Sequence, residues 1–381
     1  MNRAIVLDCR YRMSLPVIRS LGEVDIPVYG ADLESTPREK SLGFYSKYIE
    51  DTYSLPSPDD EEFIPTLKRI CGNDFPVLAP CGINSLLKIS ERKAEVSEFA
   101  RIAVPDFDKI TLANDKAALM KFADGVGIPT PFTTTLGDET ITELAERITY
   151  PVVIKFREGE LLGLDPSERY KIIRDRDTFI NEFTRMHALQ EFPLVQQYIE
   201  GEGFGVSAVF DKNHNPIQVF CHKRLREYPI SGGPSSLCVS IWDEEKVEYA
   251  VKLLKALSWE GVAMVEFKGD YLMEINPRFW GSLALAPLSG CNIPYALYRA
   301  ALGESGGEVT CNYKVGRKMQ FFLQDTLSVL SWVKKGKVGV FFKYIFDLLN
   351  PNVRDGVFKL NDFRASIQYF KQAVKKRDKI R

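Results

Sequence analysis

The chain has 381 residues, which is enough for two or three domains with cores of their own. Hydrophobic residues make up 45% and charged residues 27% of the chain, ordinary globular values that argue against a disordered or fibrous protein. The formal net charge of −1 gives no overall basic signal for nucleic-acid binding.

Cysteine and histidine usage narrows the chemistry further. The seven cysteines are scattered, odd in number and without a Cys-x-x-Cys pair, so neither a disulfide framework nor a zinc site is expected. Three widely spaced histidines argue against a histidine-based metal site or triad. No apolar run reaches the roughly 18 to 20 residues that span a bilayer, and the N terminus leads directly into a strand. We therefore expect a cytoplasmic protein.

Short buried-strand patterns alternate with helical segments in the first hundred residues. Three segments are predicted strands: 3–8, 26–32 and 75–80. The alternation predicts a small parallel Rossmann-like α/β domain over residues 1–108. No glycine fingerprint follows the first strand, so no dinucleotide is assigned. Arg10 and Arg12 lie where parallel strands place ligand contacts, although arginines at a strand end are more often ordinary surface residues.

Two lysines stand at predicted element ends in the middle of the chain. Asp115-Lys116 opens a helix that stops at the glycine- and proline-rich segment 125–131, and Lys155 ends the strand pattern 151–155. A lysine ammonium is a compact charge that suits phosphate oxygens. The alternatives are a surface lysine for Lys116 and, for Lys155, a side chain that reaches from a strand end into water.

Two further segments carry binding patterns. Residues 194–201 read apolar, polar, polar, aromatic, apolar, which is also the pattern of a half-buried strand. If residues 218–227 form a strand, His222, Arg224 and Arg226 share one face. A serine- and glycine-rich loop follows, and it contains Ser231, Gly232, Gly233 and Ser235. Arginines and loop N–H groups bind anions, so we expect an anionic group there; a surface hairpin with a flexible loop is the alternative.

Four polar side chains mark a predicted hairpin late in the chain. Glu274, Asn276 and Arg278 alternate with apolar residues and therefore point to one face of an extended strand. Residues 268–271 supply a turn that would bring Glu266 alongside. Mg²⁺ prefers carboxylate and other oxygen ligands, so this hairpin predicts a magnesium site. A solvent-exposed hairpin shows the same alternation.

The C-terminal segment has a charge of its own. From Lys334 to the end there are thirteen basic and four acidic residues, and aromatic residues lie between the lysines. This pattern is compatible with a helix on an anionic membrane surface. Gly336, Gly339 and Pro351 interrupt any long helix, so packing on the rest of the protein is the alternative. Nucleic-acid binding is not expected, because no binding fold accompanies the basic residues.

These motifs, in this order, resemble the ATP-grasp superfamily, whose nucleotide site ends with an acidic strand followed by a Glu-x-Asn strand. The resemblance implies an α/β protein with an ATP-grasp domain of the α+β type over residues 109–310. Its mobile lid would cover about 135–200. The Rossmann-like domain would precede it, and a helical extension over 311–381 would follow.

The resemblance also implies a role for each motif. Glu266 and Glu274 would bridge two Mg²⁺ ions, with Mn²⁺ as a substitute, and Asn276 would complete the second site. Lys116 and Lys155 would hold the ATP phosphates. The adenine and ribose ligands would be Gln196, Gln197, Tyr198, Ile199 and Glu202, with Glu200 as the alternative ribose ligand. Arg278, Arg224 and Arg226 would be catalytic, and the substrate would contact His222, Ser231, Gly232, Gly233 and Ser235.

The function implied in this way is that of a carboxylate-amine ligase. A small-molecule carboxylate would be activated by ATP as an acyl phosphate and joined to an amine, with release of ADP and phosphate. One alternative within the same fold is activation of bicarbonate. Another is a non-catalytic ATP-binding switch or scaffold at the membrane. A homodimer is expected by analogy alone.

Overall fold

The computed structural model describes residues 2–156, 164, 168–230 and 232–378, and from residue 374 onward it describes the backbone alone. In this part of the chain the strands are β1 (Ala4–Leu7), β2 (Val28–Leu33), β3 (Ile49–Leu55), β4 (Val77–Pro80), β5 (Thr133–Thr134), β6 (Val152–Lys155), β7 (Tyr170–Ile173), β8 (Leu194–Gln197), β9 (Gly203–Phe210), β10 (Pro216–Glu227), β11 (Ser235–Ile241), β12 (Gly261–Lys268), β13 (Tyr271–Asn276), β14 (Lys318–Gln320) and β15 (Val353–Asp355).

The α-helices lie between these strands and at the C-terminal end. In the described residues they are α1 (Ser14–Gly22), α2 (Phe63–Cys71), α3 (Ile83–Glu91), α4 (Lys93–Val96), α5 (Phe107–Asn114), α6 (Lys116–Gly125), α7 (Ile141–Arg147), α8 (Arg176–Leu189), α9 (Glu244–Ala256), α10 (Leu285–Leu288), α11 (Ile293–Ala301), α12 (Phe322–Lys334), α13 (Gly339–Leu349) and α14 (Phe363–Asp378). None of the described helices is both long and apolar enough to cross a membrane.

The chain divides into two compact units. The larger unit comprises Met1–Thr111, Phe204–Val265 and Ile275–Arg381, and the smaller unit comprises Leu112–Gly203 and Glu266–Glu274. The strands β12 and β13 each have residues in both units. The two units are defined by the contacts that residues make within each of them. The sequence predicts a different division, into three consecutive domains, and that division stays a prediction.

The larger unit begins with a parallel sheet in the order β3-β2-β1-β4. All four residues of β1 are buried, as expected for a central parallel strand covered on both faces. Ala4 pairs with Val28 on one side and with Val77 on the other. The predicted Rossmann-like layer is therefore present, with strand ends that differ from the prediction by one or two residues.

A second sheet has the order β13-β12-β9-β10-β11-β14-β15. Its middle strands are antiparallel, and buried residues such as Phe220, Met264 and Met319 contribute to the core shared with β1 and α11. The C-terminal extension is helical, as predicted, but β14 and β15 also add two strands to this sheet. The predicted α/β class with an α+β second part is confirmed.

The smaller unit has a sheet of its own, in the order β5-β8-β6-β7 and antiparallel throughout. The helices α7 and α8 pack on it. Leu144, Phe179, Phe183 and Val195 are fully buried between the helices and the sheet. This layer fixes the ends of β6 and β8, which carry predicted nucleotide contacts.

Candidate active site

Lys116 is placed by a helix cap in the smaller unit. The carboxylate of Asp115 accepts hydrogen bonds from the backbone N–H groups of Ala117 at 2.9 Å and Ala118 at 3.0 Å, so α6 begins at Lys116. The Lys116 Nζ lies 3.1 Å from a carboxylate oxygen of Glu274. Both side chains are partly exposed, at 42% and 35%, so this ion pair contributes little to stability. It joins a predicted phosphate ligand to a predicted magnesium ligand.

Lys155 is fixed by its neighbours on the sheet. Its Nζ donates a hydrogen bond of 2.9 Å to Oε1 of Gln196 on β8. The amide of Gln196 is buried, and its Nε2 donates in turn to the hydroxyl of Thr133 on β5 at 3.0 Å. The side chain of Gln196 therefore holds Lys155 in position. That its backbone contacts the nucleotide stays a prediction.

The electrostatic environment of Lys155 favours an anion. The pKa of Lys155 is lowered to about 8, mainly by burial. The positive charges of Lys116 and Lys268 also lower it, whereas the carboxylate of Glu274 raises it. Two further ammonium groups and one carboxylate therefore act on the Lys155 ammonium. Such an excess of positive charge stabilises bound phosphate oxygens.

Lys268 was missed in the sequence analysis. It ends β12, two residues after Glu266, and alternate residues of a strand share a face. The alternation that singled out Glu266 could therefore have identified Lys268 as well. Its Nζ lies 5.2 Å from the ring centre of Tyr198, which places it beside the predicted adenine-binding segment.

The predicted adenine-binding segment, residues 194–201, begins with β8, and its end lies close to the turn between β12 and β13. The Tyr198 N–H donates to the carbonyl of Pro151 at 3.0 Å, and Ile199 is buried. The carbonyl of Glu202 accepts from the N–H of Gly269 at 2.9 Å. Gly269 has a φ of +56°, the left-handed conformation that the two-residue turn between β12 and β13 uses. The N–H of Gln197 donates to the carbonyl of Phe132 at 2.8 Å, so these backbone groups are already engaged in the sheet.

The donor set for magnesium is spread along the hairpin. Glu266 and Glu274 belong to the smaller unit and are partly buried, and Asn276 ends β13 in the larger unit. In the described chain no group of three or more His, Cys, Asp or Glu residues could hold a metal ion. The two carboxylates of the smaller unit suit an ion that takes its other oxygen ligands from phosphate and water, as Mg²⁺ does; that Asn276 completes the set stays a prediction. The residues therefore fit magnesium that binds together with a nucleotide.

In the larger unit, His222 is a buried, neutral group. It lies on β10 opposite Gly205 of β9, and its Nε2 lies 3.1 Å from the hydroxyl of Ser282. Burial, and to a lesser extent the charge of Arg224, lower the pKa of His222 to about 4. A Cβ at Gly205 would lie 2.4 Å from the imidazole ring, which explains the glycine. His222 is suited to orient a neighbour by hydrogen bonding.

Arg224 organises the loop that follows β10. Its Nε donates to the hydroxyl of Ser235 at 3.0 Å, and a terminal nitrogen donates to the carbonyl of Gly233 at 3.1 Å. A Cβ on Gly233 would lie 2.4 Å from the backbone of Tyr228, and Gly232 has a φ of +126°. Both positions therefore favour glycine. Ser231 lies outside the described residues.

The expectation that Arg226 shares a face with His222 and Arg224 is wrong. Arg224 pairs with Cys238 but Arg226 pairs with Leu237, so a β-bulge lies between the two arginines. Successive residues of β11 point to opposite faces, which turns Arg226 away from Arg224. Its guanidinium donates to both carboxylate oxygens of Asp325, at 2.9 and 2.7 Å. It also forms an ion pair with one carboxylate oxygen of Asp347 at 2.9 Å.

Two N-terminal arginines differ in their surroundings. Arg10 pairs with Asp8 and Asp32, the acids that end the first two predicted strands. Arg12 stacks on Phe321, with its guanidinium 3.6 Å from the ring centre, and a Cβ on Gly281 would lie 3.3 Å from a terminal nitrogen of Arg12.

The surroundings of Arg12 connect it with the other arginines of the larger unit. Burial raises the pKa of Cys238 to about 12, and the charges of Arg224 and Arg12 both lower it, so both arginines lie near that thiol. Gly281 follows Arg278 by three residues, and Arg278 donates to the carbonyl of Phe279 at 2.9 Å. Arg12 therefore lies close to Gly281, in the segment that follows Arg278.

Two curated relatives match parts of the chain. A D-alanine–D-alanine ligase from a Marinomonas strain is 30% identical over 108 residues, 28% of this chain and 32% of the relative. A D-alanine–D-alanine ligase from Carboxydothermus hydrogenoformans is 27% identical over 192 residues, 44% of this chain and 59% of the relative. The chain thus spans about a third and about three fifths of the lengths of these relatives.

A solved structure shares the fold over most of the chain. The biotin carboxylase domain of the 2-oxoglutarate carboxylase from Hydrogenobacter thermophilus, in complex with MgADP, ADP and bicarbonate, aligns with a TM-score of 0.64 at 16% identity. The alignment covers 84% of this chain and 73% of that domain. At this identity the likeness concerns the fold alone. A family model described as an ATP-grasp domain matches residues 113–282. This matched part of the chain, which carries the predicted lysines and the Glu-x-Asn hairpin, is therefore similar to an ATP-grasp domain.

Proposed function

We propose that this protein is an ATP- and Mg²⁺-dependent ligase that joins a small carboxylate to an amine. The observation that carries the proposal is the cluster of Lys116, Lys155 and Lys268 with Glu274 in the smaller unit. The D-alanine–D-alanine ligases that match parts of the chain support a carbon–nitrogen bond as the product. All seven cysteines are free and six are buried, which supports a reducing compartment such as the cytoplasm.

In this proposal the chain positions charges and performs little covalent chemistry. Lys116 and Lys155 bind the phosphate oxygens, and Gln196 keeps the ammonium of Lys155 in place. Glu266, Glu274 and Asn276 would hold Mg²⁺, which when bound supplies positive charge to the transferring phosphoryl group. Glu274 would exchange its ion pair with Lys116 for the metal, so that Lys116 becomes available to phosphate.

The reaction then proceeds in two displacements. An oxygen of the substrate carboxylate attacks the γ-phosphorus of ATP, the bond to ADP breaks, and an acyl phosphate forms. The amine nitrogen attacks the acyl carbon, phosphate leaves with the former carboxylate oxygen, and the nitrogen loses a proton. We assign Arg278, Arg224 and Arg12 to the anionic groups of the substrate, since half-buried guanidinium groups stabilise developing negative charge.

The contacts of two other predicted residues suggest indirect roles. Arg226 meets two buried aspartates, so we propose that it stabilises the fold and does not touch the substrate. His222 is neutral and hydrogen-bonded to Ser282, so we propose that it orients the segment that carries Arg278. The backbone around Gly232, Gly233 and Ser235 would bind the substrate anion through its N–H groups.

The experiment is phosphate release from MgATP by the purified protein, with pooled carboxylates and amines and with Glu274→Gln as the control. The ligase predicts release that needs both one acid and one amine and that is lost in the control. Release with bicarbonate in place of the acid would instead support a carboxylase, for which the fold shared with the biotin carboxylase domain is a reason. Nucleotide binding without turnover in any pool would overturn the enzyme proposal in favour of a switch.

A further inference from the structure

The helix α13 has its polar and apolar faces reversed relative to an ordinary surface helix. Tyr344 and Asp347 are buried: Tyr344 shares a hydrogen bond of 2.7 Å with Thr326, and Asp347 pairs with Arg226 and Lys318. Apart from Lys343, the exposed side chains of the helix are apolar, and they include Phe342, Ile345, Phe346 and Leu349. Their spacing of three and four residues forms one stripe along the helix. Phe346 is 74% and Leu349 77% exposed.

The neighbouring segments also expose apolar side chains. Those around α12 and α13 include Phe322, Leu330, Val338 and Phe341. Single exposed apolar residues are ordinary, but this many on two successive helices indicate a surface that meets another apolar phase. A groove of ≈ 540 Å³ joins part of this surface; apolar and charged side chains line it, among them Trp332, Val340, Phe346 and Lys343.

The exposed charges of this segment all have one sign. Between Phe322 and Val353 the only acidic residues are Asp325 and Asp347, and both are buried in ion pairs with Arg226. The exposed charged residues of α12, α13 and their connection are Lys334, Lys335, Lys337 and Lys343. Lys335 and Lys337 lie 5.8 and 4.4 Å from the ring of Trp332, so aromatic and cationic groups alternate at the edge of the apolar stripe.

We propose that α12 and α13 form a surface that binds an anionic lipid membrane. The apolar stripe would enter the boundary between headgroups and acyl chains, while the lysines reach the anionic headgroups. The 11 residues of α13 span about 16 Å, too short to cross a bilayer, so the helix lies along the membrane surface. A second copy of the chain is a poorer occupant, because a two-fold contact would oppose the same lysines to one another.

The test is co-sedimentation of the full-length protein with vesicles. One set contains phosphatidylcholine only, and in the other about a third of the lipid is phosphatidylglycerol. We expect binding to the anionic vesicles, weakened by added salt, and little binding to the neutral ones. Phe342→Ser with Phe346→Ser should lower the partition coefficient by about tenfold for each phenylalanine. Lys334→Gln, Lys335→Gln and Lys337→Gln together should lower it by about fivefold for each lysine.

Matched variants elsewhere on the surface separate this face from general effects. Phe75→Ser with Phe107→Ser removes two exposed phenylalanines, and Lys212→Gln with Lys252→Gln and Lys255→Gln removes the same charge. Both control sets should bind as the parent protein does, and every variant should retain its nucleotide affinity, since none alters the lysine cluster at Glu274. Equal loss in test and control sets, or no binding to anionic vesicles, would overturn the proposal. Two other results would also overturn it. In each, Phe342→Ser with Phe346→Ser leaves vesicle binding intact but abolishes either concentration-dependent self-association or capture of an acidic protein.

Discussion

The lowered pKa of Lys155 makes nucleotide affinity depend on pH. In the ligand-free protein burial lowers the pKa of Lys155 to about 8, with the charge of Lys116 as a further cause. The charge of a bound triphosphate favours the protonated lysine and raises its pKa towards the ordinary value of about 10.4. Nucleotide binding near pH 8 should therefore take up about half a proton.

The size and sign of the effect follow from the same values. Above pH 8 the affinity should fall by up to about tenfold per pH unit, so at pH 9 it should be about tenfold weaker than at pH 7. Folding has the opposite dependence. The folded pKa lies below the unfolded one, so the charged lysine costs stability in full below pH 8, and this cost disappears as the pH rises towards about 10.4.

Isothermal titration of the protein with MgADP, in two buffers of different ionisation enthalpy, measures both affinity and proton uptake. The matched variant is Lys155→Arg, whose guanidinium stays charged throughout this range, so its affinity should not change between pH 7 and 9. A parent protein that takes up no proton at pH 8, or an arginine variant with the same pH dependence as the parent, would contradict a lowered pKa of Lys155.

Three further changes test other parts of the account. Lys268→Met should raise the pKa of Lys155, so that the affinity inflection moves to higher pH in the same titration; an unmoved inflection would contradict the lysine cluster. Arg226→Met should lower the free energy of unfolding in urea by about 3–5 kcal/mol, because two buried carboxylates lose their partner, whereas the exposed Arg354→Met should stay within about 0.5 kcal/mol. Gly205→Ala places a Cβ 2.4 Å from the His222 ring and should lower the free energy of unfolding by about 1–3 kcal/mol. At Gly307 a Cβ meets no atom within 4 Å, so Gly307→Ala should be near neutral. Equal losses of stability in the two variants would contradict the packing assigned to His222.

The parts of the fold that local pattern determines were predictable. Asp115 caps α6 at Lys116, the hairpin turns at Gly269 and Asp270, and Gly336 lies in the break between α12 and α13. Each of these features depends on residues within a few positions of one another. The parallel N-terminal strands were also predictable, because a fully buried apolar run in alternation with helices has few other interpretations.

The parts that depend on distant partners were not predictable. Arg226 looked like a ligand because it alternates with Arg224, but a one-residue bulge and a carboxylate 99 positions later in the chain give it a different environment. The acids at the ends of β1 and β2 gave no sign that Arg10 would pair with both. Gln196 could be placed near the nucleotide, yet its hydrogen bond to Lys155 joins residues on two strands.

The measurement that tests the central proposal most directly uses ¹⁸O in the carboxylate of the acid that supports turnover. Attack of that carboxylate on the γ-phosphorus predicts that each phosphate released carries one oxygen from the acid, and that amide formation and phosphate release occur in equal amounts. Phosphate without label would mean that water attacks ATP directly, and it would contradict the acyl-phosphate ligase.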